Sequence, residues 1–381
     1  MFEETVAFIR KQFDTPEEFI PLHVPRFVGK EREYVIDAIN STFVSSVGAY
    51  VNEFEQVVAQ KTGAKYAIAT SNGTSALHIA LLMAGVEPNN EVITQPLTFV
   101  ATANAISYAN AKCVFLDVDR DTMGLSPAKL RSFLETNVEM IDGHAVNKKT
   151  GAKISACMPM HTFGFPCRID EIVSICNKYN IPVVEDAAES LGSLYKGKHT
   201  GTFGKLGVFS FNGNKTITCG GGGAIVTDDA DLAKLAKHIT TTAKVSHPWE
   251  YEHDMIGYNY RMPNLNAALA CAQLEQLDAY VKNKRELALL YSNFFKNQQI
   301  DFVSEDSDSY SNYWLMAVIL NDEKQRNEFL TYTNEHKVMT RPIWKLMHSL
   351  KMFRDCQVED VTNAEWLEER VVNIPSSVRL T

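Results

Sequence analysis

The sequence has no apolar run approaching the roughly 20 residues that a membrane-spanning helix needs. It lacks a Gly-x-Gly-x-x-Gly fingerprint and a Walker loop, which argues against a dinucleotide fold and a P-loop enzyme. Internal repeats, low-complexity tracts and long charge runs are also missing. Basic charge is in deficit: 37 Lys and Arg face 46 Asp and Glu, a net −9. Nucleic-acid binding is therefore not expected as the main task, although a local basic pocket for a phosphorylated substrate is compatible with it. The seven cysteines (Cys113, Cys157, Cys167, Cys176, Cys219, Cys271, Cys356) are odd in number, scattered and never spaced Cys-x-x-Cys. No disulfide framework and no metal site is expected, and a reducing cytoplasm is the expected compartment. Met1-Phe2-Glu3-Glu4-Thr5 opens a polar amphipathic segment rather than a signal peptide.

What is present describes a globular chain. With 381 residues, 45% hydrophobic and 22% charged, it can bury a large core and is expected to form two domains. Residues 1–20 suggest a short helix without a legible purpose. Helical spacing follows over 29–39 and 51–62, separated by small residues at 43–50. From residue 64 strands and helices alternate, over 65–70, 75–84, 91–96, 99–109, 112–118, 154–160, 169–179 and 181–185. Such alternation predicts βαβ units in an α/β fold with a largely parallel sheet. A helix with an acidic start is expected over 228–242. One long helix from about 263 to 297 would bridge residues 1–262, the large domain, to a smaller α+β domain over 263–381.

Three stretches carry chemistry. Gly207-Val208-Phe209-Ser210-Phe211-Asn212-Gly213-Asn214-Lys215 places a lysine five residues after a serine in an apolar run. A lysine there suits an aldehyde cofactor held as a Schiff base, although most lysines are solvated surface charges. Upstream, Asp186 closes the strand-like Ile181-Pro182-Val183-Val184 run, at the end where open α/β sheets place ligands. It can hold a pyridine nitrogen protonated, or simply cap a helix. Thr70-Ser71-Asn72-Gly73-Thr74-Ser75 turns a strand into a helix whose free amides form a phosphate site. The Gly220–Gly223 run reads as a hairpin and close-packing device rather than a second cradle. His161 reads as a structural histidine.

These motifs together resemble the DegT-type nucleotide-sugar aminotransferases, pyridoxal-phosphate enzymes of the aspartate-aminotransferase fold. The matching stretches, in order from about Pro21 onward, are Ser71–Leu77, Thr98–Thr102, Glu185–Glu189, Ser210–Lys215 and Gly257–Met262. The resemblance implies that Lys215 carries pyridoxal phosphate (PLP) and shuttles a proton, with Asp186 on the ring nitrogen. It places Glu189 where many members have Gln beside the ring hydroxyl. Gly73, Thr74 and Ser210 would hold the phosphate, and Phe99 would stack on the ring unless it is a helix-core residue. Asn259 resembles an asparagine supplied by the neighbouring subunit, which implies a homodimer with shared active sites. Ser45 lies in a region near the sugar nucleotide in the family, and Arg341, Lys345 and His348 lie in a segment resembling the branch that acts on N-acetylated sugars. The family usually continues into a final helix past Val378, so that helix is absent here or the sequence is cut short.

The implied function is transfer of an amino group, from glutamate as donor, to C-4 of a UDP-linked 4-keto-6-deoxy-N-acetylhexosamine. The Ser-Phe-x-Gly-Asn-Lys form of Ser210–Lys215 is the one common among C-4 enzymes. Alternatives are a sugar dehydratase of the same family, from which Lys215 points away because those members carry histidine there, and an amino-acid aminotransferase. A third is a non-catalytic PLP- or sugar-nucleotide-binding regulator, which would not need the lysine.

Overall fold

The computed structural model describes residues 2–379. Its centre is a mixed sheet whose strands run, edge to edge, Tyr66–Thr70, Gly223–Thr227, Leu206–Ser210, Val184–Asp186, Ile154–Met158, Glu91–Thr94, Lys112–Phe115 and Gln357–Val358. From Leu206–Ser210 to Gln357–Val358 every pairing is parallel; Gly223–Thr227 is antiparallel to both of its neighbours. Ile154–Met158 is buried along its whole length, as a parallel strand covered on both faces requires. Lys215 therefore lies in the connection between Leu206–Ser210 and its antiparallel neighbour Gly223–Thr227, at one side of the parallel strands.

The helix Gly73–Met83 lies against that side and is buried nearly all round. Gly223 explains how closely: a Cβ there would sit 2.4 Å from the Asn72 carbonyl oxygen. This end of the glycine run is a close-packing device.

A second sheet orders Asp301–Phe302, Met316–Ile319, Val371–Ile374 and Arg341–Pro342, all antiparallel. The N-terminal helix Phe2–Gln12 shares its core: the Phe2 ring lies 5.3 Å from Phe329, and Val6 and Ile9 join Tyr291 and Val372 in one apolar cluster.

The single long helix expected over 263–297 is two, Asn264–Leu274 and Leu277–Phe295. The first packs on Glu31–Asn40 and Ala49–Thr62. The second turns Leu287, Tyr291 and Phe295 into the C-terminal core. A bend at Glu275–Gln276 lets each helix face its own partners. A hairpin not expected from the sequence, Val138–Ile141 with His144–Asn147, turns on Asp142 (φ 50°) and Gly143 (φ 78°). Among the described residues no helix is long and apolar enough to cross a membrane.

Candidate active site

The site forms where three chain segments leave the sheet at the same end. After Thr70 the chain enters its helix through Asn72, whose Oδ1 accepts a 2.8 Å bond from the Ser75 amide. Gly73 and Thr74 follow, in the first turn, where amides have no intrahelical acceptor. A Cβ on Gly73 would stand 2.8 Å from the Ser210 Cβ, so only glycine lets the helix start lie against the end of Leu206–Ser210. Two amides and a hydroxyl thus converge on one small space, a geometry suited to a phosphate.

Asp186 ends its strand next to Val208. Its Oδ2 accepts from the Thr102 hydroxyl (2.7 Å) and its Oδ1 from the Ala188 amide (3.2 Å). Burial pushes this carboxyl's pKa up, while the Thr102 and Ala188 bonds and the charges of Lys215 and His161 oppose it. Among the described residues it makes no ion pair. A buried carboxylate of this kind calls for a cation opposite it, which a protonated pyridine nitrogen supplies.

Lys215 points toward the same place. Its Nζ lies 3.2 Å from Glu189 Oε1 and 3.9 Å from the centre of the Trp314 indole. Glu189 is buried, its other oxygen accepts from the Phe163 amide (2.9 Å), and burial raises its pKa from 4.5 to about 7 against the pull of Lys215. A cavity of about 690 Å³ opens over these groups, and Gly73, Thr74, Asp186, Glu189, Ser210 and Lys215 line it. Phe99, 48% exposed, stands in its wall in edge contact with Trp344, not in the core of its helix. Arg341 and Lys345 approach from the C-terminal region; Lys345 pairs with Glu368 at 3.3 Å, and Arg341 donates to Asn334 and Thr340. The set fits pyridoxal phosphate: an anion cradle, a buried acid lacking a counterion, and a primary amine.

Three expected residues lie elsewhere. Ser45 is exposed, away from the cavity wall, and its carbonyl accepts from the Asn264 amide. His348 sits on the short Met347–Ser349 turn with its Nδ1 buried and unpartnered. Asn259 is exposed outside the cavity, with its Oδ1 accepting from Arg261. His161 is enclosed, with Nε2 3.0 Å from Glu185 Oε2, whose carboxylate also gathers the Gly201, Phe203 and Gly204 amides. Trp314 and Thr102 had no assigned role in the sequence reading. Each reaches the site by a contact between residues about a hundred positions apart, and such a contact leaves no spacing signal.

Known proteins are similar to this chain over most of its length. The DegT/DnrJ/EryC1/StrS aminotransferase family matches residues 26–381. A GDP-perosamine synthase of Escherichia coli O157:H7 is 37% identical over 94% of this chain and 93% of its own. The putative pyridoxal phosphate-dependent aminotransferase EpsN of Bacillus subtilis strain 168 is 36% identical over 95% and 92%. Among solved structures, Helicobacter pylori PseC, an aminotransferase involved in pseudoaminic acid biosynthesis, superposes with a TM-score of 0.85. It is 23% identical, covers 94% of each chain, and shares the fold.

Proposed function

The chain belongs to the DegT/DnrJ/EryC1/StrS aminotransferase family, and from that premise we propose that it aminates C-4 of a nucleotide-linked 4-keto-6-deoxy sugar, with glutamate as donor. It is a pyridoxal-phosphate-dependent sugar aminotransferase. The convergence of Lys215, Glu189 and Asp186 on one cavity walled by Arg341 and Lys345 supports the amino transfer, and the Ser-Phe-x-Gly-Asn-Lys form of Ser210–Lys215 supports C-4 as its position.

Bound pyridoxal phosphate supplies an electron sink beside the reacting carbon. Gly73 and Thr74 would donate their amides, and Ser210 its hydroxyl, to the phosphate. Phe99 would stack on the ring. Asp186, held by Thr102, would keep a proton on the ring nitrogen. Lys215 takes the proton from the carbon bearing the amino group. Glu189, with a pKa near neutrality, accepts or releases a proton beside that amine.

The name of the Escherichia coli relative supports GDP as the carrier. A UDP-linked N-acetylhexosamine is the second reading, favoured by the resemblance of the Arg341–His348 segment. Either diphosphate would meet Arg341, a cavity cation that donates to the Asn334 amide oxygen and the Thr340 carbonyl. The site is shared across a homodimer, with the partner's copy of the asparagine at position 259 completing the phosphate cradle. Trp249, Tyr251 and Ile256, just before Asn259, are each more than three-quarters exposed, an apolar surface that calls for a cover.

Incubation with glutamate and matched 3-keto and 4-keto sugars, each on GDP and UDP, decides these points when NMR locates the new amine. Amination at C-4 of the GDP-linked sugar is expected. Amination at C-3 alone would overturn the position, and turnover of UDP-linked N-acetylhexosamine alone would overturn the carrier.

A further inference from the structure

Trp314 touches the Lys215 amine from a side that none of the motifs describes. Its ring is buried (4% exposed) and its face lies 3.9 Å from Lys215 Nζ. Its Nε1 donates a 2.6 Å bond to the carbonyl of Asn214, the residue before the lysine. One side chain thus fixes the backbone at the root of Lys215 and meets the ammonium at its tip.

Trp314 is itself tied to the other group gripping that ammonium. Its amide donates to Asn312 Oδ1 (2.8 Å), while Asn312 Nδ2 donates to the Glu189 carbonyl (2.9 Å). Glu189 and Trp314 therefore hang from one asparagine and close on Lys215 from two sides. The charged and titratable groups facing Lys215 are Glu189, Asp186 and His23. Burial above all, together with the nearby Lys284, Lys215 and Arg26, pushes His23's pKa down, so it faces the lysine as a neutral ring. That ring lies beside Asn214, whose carbonyl accepts from Trp314 Nε1.

Resting on the reading of Lys215 as the reacting amine, we infer that Trp314 is a positioning residue: whenever Lys215 is not bonded to the cofactor, the indole face and Glu189 hold its ammonium in place. A lysine has four rotatable bonds and the cavity has room for it to swing away. An aromatic face toward a desolvated cation opposes that motion and favours the charged form. The amine is thereby kept beside the carbon it serves, and a proton that it has taken up is held at Nζ until it is passed on.

The test uses holoenzyme loaded with pyridoxamine phosphate, in which Lys215 is free. Trace acetylation with acetic anhydride is followed against pH, and the Lys215 peptide is quantified by mass spectrometry. In Trp314→Leu, labelling near neutral pH should rise about fivefold and the profile should shift to lower pH. Trp314→Phe, which keeps a ring face, should stay within about twofold of wild type. Trp314→Met carries the same expectation as Trp314→Leu if the latter does not fold. A Leu or Met profile that overlies wild type, or rises by one factor at every pH as simple opening would cause, overturns the inference. Borohydride reduction of the pyridoxal-phosphate form separates the two failures. Label absent from Lys215 in wild type defeats the functional reading, whereas label on Lys215 with an unchanged acetylation profile defeats only the role of Trp314.

Discussion

At Glu189 burial and charge pull against each other, and burial prevails. Its carboxyl titrates near 4.5 when solvated and at about 7 in the folded protein. Between these values the folded state binds more protons than the unfolded one, so stability is fully present below about pH 4.5 and declines as pH rises through 7. In cofactor-free protein, Glu189→Gln should therefore gain on wild type between pH 5 and 8, by up to about 3 kcal/mol, read as a growing difference in denaturant midpoints. A pH-independent difference would show that the carboxyl does not titrate there. Asp186→Asn keeps the shape and can still bond to Thr102, but it removes the charge facing the ring nitrogen. Its single-turnover rate should fall by about 10²–10³ while cofactor affinity changes less than tenfold. Near-wild-type turnover would refute the role. Lys215 and Asp186 were legible because their spacing and strand ends are local properties. Thr102 and Trp314 were not, because a hydrogen bond across 84 positions and a ring contact across a domain leave no pattern in the sequence.

Among the elements, the parallel strands were the most legible, since apolar runs alternating with helical spacing have few other solutions. Val138–Ile141 and His144–Asn147 carry an Asp-Gly turn between them, but neither Val-Glu-Met-Ile nor His-Ala-Val-Asn alternates apolar and polar residues cleanly, so the turn stands without a strand signal on either side. The bend between Asn264–Leu274 and Leu277–Phe295 was missed because no glycine or proline marks it; it follows from which partners each helix packs on. The meeting of the Gly73–Met83 helix with the Leu206–Ser210 strand makes its own prediction. In Gly73→Ala the new methyl, 2.8 Å from the Ser210 Cβ, must push helix and strand apart. Overpacking of this kind costs about 1–3 kcal/mol, and cofactor affinity should drop more than in Ser210→Ala, which removes one donor and leaves the cradle in place. Equal affinities in a fluorescence titration would contradict that account of the cradle.

For the whole molecule, the cavity draws on segments more than 250 residues apart, from Gly73 to Arg341 and Lys345. The purpose of the N-terminal helix, unreadable from its sequence, is to complete the C-terminal core through Phe2, Val6 and Ile9. If a partner supplies its copy of Asn259, mixing Asn259→Ala with Lys215→Ala protein should restore activity, because a heterodimer puts both lesions in one site and leaves the other intact. No regain despite demonstrated subunit exchange would count against sharing. The central claim is that separate strand ends bring one cofactor to one lysine. Borohydride reduction of the pyridoxal-phosphate-loaded enzyme, followed by peptide mapping, tests it most directly. The account predicts a phosphopyridoxyl group on Lys215; the same label on any other lysine, with Lys215 unmodified, would contradict it.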